Sequence, residues 1–221
     1  MFDRDVKGFT LTELMLAICI MSVIGLAVAT VASGLSNAYG ITDTLEDSIQ
    51  SARSALMNLE STIRKSKLVL AKSSSGVALW TGDANEDGEV NLDEIVLVQR
   101  IDADRTLRMS QVVFSASLSR EIVEATNEKK QLYQVNTIGE VSNVLGSGSV
   151  AGMQVSRVLA GDVESFEVAT DATPPWSRLV NLRLTTGSDD QQITLTSSTH
   201  LRADAVDSVV SYNRRPVLKL E

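Results

Sequence analysis

An uninterrupted apolar segment near the N-terminus constrains this chain more than any other feature. No residue between Leu14 and Thr42 is charged. A run of at least about 18 such residues is typical of a helix that spans a membrane, because about 20 residues are needed to cross the hydrocarbon core. One carboxylate, that of Glu13, stands at the entrance of this segment. We therefore predict a transmembrane helix over residues 9–35 with an acidic side chain near its beginning.

The segment does not have the order of a secretory signal peptide. Such a peptide places a shorter apolar stretch, about 7 to 15 residues, before a small-residue cleavage site. Here the small residue, Gly8, lies before the apolar stretch and ends a polar leader, residues 1–8, that carries Arg4 and Lys7. Cleavage after Gly8 would leave the apolar helix on the mature chain. Because Lys and Arg are enriched on the cytoplasmic side of membranes, the leader predicts a cytoplasmic N-terminus.

An acidic side chain in a membrane segment is costly and marks a functional residue with a partner to be found. No Lys or Arg follows Glu13 within two helical turns. A partner on a neighbouring chain is therefore one interpretation, and the free amine of Phe9 would serve. The other interpretation places Glu13 at the headgroup level, where a charge costs little.

The sequence around the cleavage position carries a family resemblance. Residues 8–15 read Gly-Phe-Thr-Leu-Thr-Glu-Leu-Met, which resembles the class III signal of type IV pilins and type II secretion pseudopilins. The resemblance implies cleavage between Gly8 and Phe9 by a prepilin peptidase, N-methylation of Phe9, and assembly that depends on Glu13, the fifth residue of the mature chain. It also implies an inner-membrane location, an inner-membrane assembly platform with a separate cytoplasmic ATPase, and filament partners that are other pilins or pseudopilins.

Composition limits what the rest of the chain can do. The 221-residue chain has a net charge of −8 and few aromatic residues, which makes a nucleic-acid partner unexpected. The only cysteine, Cys19, lies in the apolar segment, so no intramolecular disulfide or cysteine-based zinc cluster is possible. The only histidine, His200, has no nucleophile or oriented acid identifiable beside it. We therefore do not expect an enzyme.

Beyond the membrane segment the pattern indicates an α+β fold. Apolar residues spaced by three and four from Ile41 to Ile63 predict that an amphipathic helix continues over residues 36–72. Segments of β character then follow, at 77–80, 95–101, 107–114, 163–168, 180–184 and 193–197. We predict an antiparallel β-sheet domain over residues 73–204, located in the periplasm and packed against the amphipathic helix, and a C-terminal tail over 205–221.

Residues 83–94 have the spacing of a calcium-binding loop. They fit the twelve-residue loop of EF-hands and resemble the loop of dockerins, with oxygen-bearing side chains at positions one, three and five, glycine at six and glutamate at twelve. A hard cation needs six to eight oxygens around one point, so the chain must turn tightly to supply them. The predicted ligands are Asp83, Asn85, Asp87, the backbone carbonyl of Glu89, Asn91 through a water, and both carboxylate oxygens of Glu94.

The flanks of this loop differ from those of an EF-hand. Residues 77–80 and 95–98 are rich in β-branched and aromatic side chains, which favours a loop that closes a β-hairpin over one between two helices. The loop would then bind calcium in a structural role. The alternative is a polar hairpin turn, rich in Asn, Asp and Gly, that binds nothing.

The second half of the chain resembles one kind of pilin-like protein. Residues 159–168, a Pro-Trp segment and a hairpin ending at His200 are similar to minor pseudopilins of the J type. The resemblance implies a minor subunit of a type II secretion pseudopilus. A minor subunit of a type IV pilus, used for adhesion or DNA uptake, is one alternative. A membrane-tethered, calcium-dependent binding domain that never polymerises is another.

Overall fold

The computed structural model describes residues 10–83, 87, 89–188, 191–213 and 215–219. The predicted leader, together with Phe9, lies outside these residues. The chain divides into two compact units, Met1–Glu46 and Asp47–Glu221. Its regular elements are α1 (Leu11–Lys65), β1 (Leu68–Ser73), β2 (Gly76–Trp80), β3 (Val90–Asn91), β4 (Ile95–Ile101), β5 (Thr106–Val112), α2 (Arg120–Thr126), β6 (Lys129–Lys130), α3 (Ile138–Gly146), β7 (Gln154–Ala160), β8 (Val163–Thr170), β9 (Leu179–Ser188), β10 (Gln191–His200), β11 (Val209–Tyr212) and β12 (Arg215–Leu218).

The first unit is built on the apolar part of α1. The segment Leu11–Ser36, 26 residues long, is long and apolar enough to cross a membrane, and all of its residues are exposed in the chain itself. Its polar side chains bond back to the helix: the Ser22 hydroxyl donates to the Ile18 carbonyl at 2.8 Å, and the Thr30 hydroxyl donates to the Ala27 carbonyl at 2.8 Å. These bonds satisfy the hydroxyls without water, as hydrocarbon surroundings require.

The second unit contains two main antiparallel sheets. The larger has the strand order β1-β2-β4-β5-β7, and the smaller has the order β10-β9-β8. The amphipathic part of α1 packs against both, with Leu59 and Ile63 fully buried beside Val98 of the larger sheet and Phe166 of the smaller one. The α+β prediction, a long helix covered by antiparallel strands, is therefore confirmed.

Over β2, the larger sheet is buried on both faces. Along β2, Val77 and Leu79 face α1, while Ala78 and Trp80 belong to a second core on the opposite face. This second core also takes up side chains of α3, of the turn at Leu132–Gln134 and of the C-terminal segment. Successive side chains of a strand point to opposite faces, so burial of both faces explains why β2 has a continuous apolar sequence instead of an alternating one.

Two predicted boundaries are wrong. The amphipathic helix does not reach residue 72, because α1 ends at Lys65 and β1 begins at Leu68. The N–H of Lys67 donates to the carbonyl of Trp80 at 2.7 Å, so at that point the backbone has already turned toward pairing with β2. The apolar run that opens β1 is continuous and buried. It therefore lacks the three- and four-residue spacing that marks an amphipathic helix.

The C-terminal segment 205–221, predicted as a tail, is part of the fold over its described residues. Strands β11 and β12 pair as an antiparallel hairpin. Val206 and Val209 are buried in the second core, and the guanidinium of Arg215 lies 4.8 Å from the centre of the Tyr133 ring. Apolar burial and a cation–π contact hold the segment in place.

Candidate functional site

The N-terminal end of α1 forms a capping box. Glu13 Oε2 accepts hydrogen bonds from the Thr10 N–H and the Thr10 hydroxyl, both at 2.9 Å. The Glu13 N–H donates in return to the Thr10 hydroxyl at 3.3 Å. This reciprocal pair satisfies backbone donors that a helix start leaves open. The spacing Thr-x-x-Glu ahead of an apolar run is the sequence signal for this box, which was not predicted.

The capping box determines where the Glu13 charge lies. It holds the carboxylate on the first turn of α1, where the partial positive charge of the helix N-terminus favours an anion. Gly8 and Phe9 lie outside the described residues, so the predicted cleavage position has no geometry to report.

The second candidate site is the loop between β2 and β4. These strands pair with Trp80 opposite Ile95, so residues 81–94 close a β-hairpin, as the flanking sequence predicts. The loop is fastened at its base, where the N–H and the hydroxyl of Thr81 donate to the carbonyl of Glu94 at 2.9 and 3.0 Å. Val90 is buried beneath it, which matches its predicted inward position.

The predicted ligands that the structure describes are linked by hydrogen bonds within the loop. Asp83, Asp87 and Asn91 are joined: the Asp87 N–H donates to Asp83 Oδ1 at 3.0 Å, and the Asn91 amide donates to Asp87 Oδ2 at 3.3 Å. The Glu89 N–H donates to Asp87 Oδ1 at 2.9 Å. Asn85, and Gly88 at the predicted turn, lie outside the described residues.

Glu94, at the end of the loop, is linked to this group through Asn91. Its side chain is buried, and its Oε2 accepts hydrogen bonds from Trp80 Nε1 at 2.9 Å and from the Asn91 N–H at 3.2 Å. The partnership with Trp80 explains how a carboxylate is tolerated next to the second core, because a buried charge needs hydrogen bonds to offset its lost hydration.

Two lysines contact the carboxylates of the loop. Lys67 Nζ lies 3.3 Å from Asp83 Oδ2 and 4.9 Å from the centre of the Trp80 ring. Lys129 Nζ lies 3.2 Å from Asp87 Oδ2 and also forms an ion pair with Glu89. Lys129 reaches the loop because β6 pairs with β3, which places it opposite Asn91. Nothing in the local sequence around Lys129 indicates this long-range pairing.

The contact between Lys129 and Asp87 shifts the pKa values of both groups. Hydrogen bonds to Glu89 and Asp87 raise the pKa of Lys129. Burial raises the pKa of Asp87, but hydrogen bonds from the Glu89 N–H, Asn91 and Lys129 outweigh it, and the net pKa lies below the usual value. A lowered folded-state pKa contributes stability above the unfolded pKa, and that stability is lost as the pH falls through the folded value.

Other candidate chemistry is sparse in the part of the chain that the structure describes. Among those residues, no three His, Cys, Asp or Glu side chains come close enough together to hold a metal ion. His200 is exposed on β10, as its alternation with Thr194 and Thr196 predicts. The two functional features are therefore the capped start of α1 and the hairpin loop.

The fold and the first of these features define a class of protein: an N-terminal apolar helix with an acidic cap, followed by an α+β domain. Residues 3–29 match the family model described as the prokaryotic N-terminal methylation motif. This match indicates a prepilin-type substrate, a pilin or a pseudopilin, and it implies processing by prepilin peptidase and assembly with other pilin-type subunits. The comparisons with curated proteins and with solved structures found no match.

Proposed function

We propose that this chain is a minor subunit of a type II secretion pseudopilus. The observation that carries the proposal is the methylation motif at residues 3–29, with Glu13 held by its cap at the start of an apolar helix. The resemblance of residues 159–200 to minor pseudopilins of the J type favours secretion over adhesion or DNA uptake. A minor subunit of a type IV pilus is the alternative that shares the same motif.

In this proposal the chain resides in the inner membrane as a single-pass protein before it joins a filament. The leader lies in the cytoplasm, and the domain beyond α1 lies in the periplasm. Prepilin peptidase cuts after Gly8, and Phe9 becomes the methylated N-terminus. The Glu13 carboxylate then matches the amine of an incoming subunit, which sets the axial register as apolar helices pack together. The ATPase and the assembly platform are separate proteins.

The mature N-terminus tests the class of protein. We expect mass spectrometry of the chain from cells that contain a prepilin peptidase to find a methylated Phe9 and no residues 1–8. Gly8→Leu should leave the leader attached, because the peptidase requires a small residue there in our proposal. Gly34→Ala, within α1, is the control and should be processed normally. A wild-type chain that keeps Met1 would contradict the proposal.

The role within the class requires a different measurement. Deletion of the gene from its natural host should reduce secretion of exported proteins into the medium if the chain is a pseudopilin. Loss of surface pili or of DNA uptake, with secretion intact, would instead favour the type IV pilus alternative. Complementation with the wild-type chain should restore whichever activity is lost.

We further propose that the loop at 83–94 binds calcium as a structural ion. The donors fit a hard cation, because every predicted ligand supplies oxygen. The ion pairs support the proposal, since Lys67 and Lys129 place positive charge against three of the predicted ligand residues, Asp83, Asp87 and Glu89. A bound ion would supply the same charge neutralisation, and the ligand residues would close around it. One isolated loop should bind weakly, which suits a compartment rich in calcium.

Competition between Lys129 and calcium gives a direct test. Lys129→Met removes the ammonium group from Asp87 and Glu89 but keeps an unbranched side chain of similar length on β6. We expect calcium affinity to rise about two- to fivefold, the range expected when one partly exposed lysine no longer pairs with these carboxylates. Calorimetric titration of the full chain in detergent would measure it.

Lys130→Met is the matched control for this variant. Lys130 is the next residue of β6 but pairs with Glu128, outside the loop, so its removal should leave calcium affinity unchanged. Equal affinity in the Lys129→Met variant and the wild type would mean that the lysine and the ion do not share a site.

A further inference from the structure

The two main sheets have four outermost strands, and three of them are protected against further pairing. The register of β1 against β2 shifts between Val69 and Ala71. The register of β7 shifts where it pairs with Leu107 and Arg108 of β5. The register of β8 against β9 shifts between Val163 and Ser165. In each case the extra residue lies in the outer strand itself, which bends that strand away from a regular edge. Bulges of this kind are a known means of preventing edge-to-edge association.

Charged side chains add to this protection on two of the strands. Strand β7 carries the exposed Arg157. Strand β8 carries Glu164 and Glu167, and its first residue is already used: the Val163 carbonyl accepts from Arg100 Nε at 2.8 Å, and the Val163 N–H donates to the Arg105 carbonyl at 2.7 Å. Another strand that approached these edges would meet charges and occupied backbone groups.

Strand β10 has none of these devices. It pairs with β9 through ten consecutive residue pairs, from Gln191 to His200, without a register shift. Its sequence contains no Asp, Glu, Lys, Arg or Pro. Every second residue of such a strand turns its N–H and C=O away from the partner, and no backbone bond from the described residues reaches that side of β10.

We propose that β10 is an interaction edge, and that the strand it pairs with is β10 of a second copy of this chain, in antiparallel orientation. This inference goes beyond the proposed secretion role and does not depend on it. A regular, unoccupied edge is a template for another strand, with affinity supplied by main-chain hydrogen bonds. A twofold axis would place the same surface on both sides.

The distribution of charge favours β10 as the place where two copies of the chain can meet. The chain carries a net charge of −8, so most of its surface repels another copy, but two β10 strands bring no charged side chains together. The outward-facing residues Thr194, Thr196 and Ser198 would lie opposite similar hydroxyl residues, and Thr–Thr and Thr–Ser pairs are favourable across strands. A strongly charged strand from another protein would find no counter-charge on β10.

Disulfide cross-linking in the membrane tests the contact. Cysteines are introduced singly at Thr194, Thr196 and Ser198 of the full chain, in a Cys19→Ser background so that no other thiol reacts. Mild oxidation should give a disulfide-linked dimer, with a maximum at the position nearest the twofold axis. Val155→Cys and Arg157→Cys, both exposed on the protected strand β7, are the controls and should give at least about tenfold less dimer.

A second pair of variants, both on β10, tests the same pairing without any cross-link. Thr196→Lys places two like charges close together across a β10 pair and should abolish the dimer. Thr196→Val introduces no charge and should retain it. Sedimentation of the chain in detergent distinguishes dimer from monomer. Thermal melting of both variants checks that the fold is intact. A wild-type monomer, equal cross-linking from β7, or cross-links only to a different protein would overturn the inference.

Discussion

Replacing Glu13 with Gln should abolish incorporation of the chain into filaments while leaving leader cleavage intact. Glutamine has the same size, and its amide oxygen can still accept the hydrogen bonds from Thr10, so the helix cap survives. The substitution removes the negative charge that would pair with the amine of an incoming subunit. The measurement is the fraction of chain recovered in sheared filaments, in cells that express the partner subunits.

Two variants separate the charge of Glu13 from the rest of the helix. Glu46→Gln makes the same chemical change at an exposed position of α1 beyond the apolar segment, and it should assemble as the wild type does. Thr10→Val removes the hydroxyl that caps the helix but keeps the carboxylate, so assembly should be reduced rather than lost. Full assembly of the Glu13→Gln chain would contradict the role of the Glu13 charge in assembly. A wild-type chain that never enters filaments would instead favour the membrane-tethered binding domain.

The elements with a strong local pattern could be predicted from the sequence. The apolar run of α1, and the three- and four-residue spacing that follows it, identify the helix without any tertiary information. The strictly alternating pattern at 180–184 and 193–197 likewise identifies β9 and β10, whose inner faces pack toward the core. The hairpin around residues 83–94 follows from β-branched flanks, which are incompatible with the two helices of an EF-hand.

Features that depend on contacts distant in sequence could not be predicted. The end of α1 at Lys65 is decided by pairing of β1 with β2, and an apolar run like that of β1 fits either structure until its partner is known. Lys129 appears solvated in the sequence because its carboxylate partners lie about forty residues earlier in the chain. The C-terminal hairpin was missed for the same reason, since its apolar residues are few and their core comes from other segments.

For the loop at 83–94, the sequence predicted which residues supply oxygen atoms, but not their hydrogen-bond and ion-pair partners. The pattern of residues 83–94 identified Asp83, Asp87 and Glu94 as oxygen donors, but it did not indicate that Trp80 donates to Glu94 or that Lys67 contacts Asp83. Lys67 follows the end of α1 and Trp80 ends β2. These two contacts connect the loop to the end of α1 and to β2. They form only when the chain has folded, so the sequence pattern does not indicate them.

Replacing Glu94 with Gln should remove the response of this domain to calcium without unfolding it. At about ten times the dissociation constant, a bound ion stabilises the wild type by about 1.4 kcal/mol. For a domain of this size that corresponds to a rise in Tm of about 3 to 5 °C. Glutamine supplies one neutral oxygen in place of a bidentate carboxylate, so this rise should disappear. The glutamine oxygen can still accept from Trp80 Nε1, which keeps that buried donor paired.

Asp93→Asn is the matched control for the Glu94 variant. It removes a neighbouring carboxylate that lies outside the predicted ligand set and pairs with Asn127 at 2.8 Å, so the rise in Tm should be retained. Melting of the full chain in detergent, with and without millimolar calcium, measures the response. Trp80 fluorescence gives a second readout, because the indole N–H contacts the carboxylate that the ion would bind. If calcium shifts the Tm of the Glu94→Gln chain as much as that of the wild type, the ion binds elsewhere and the loop is only a polar turn held by lysines.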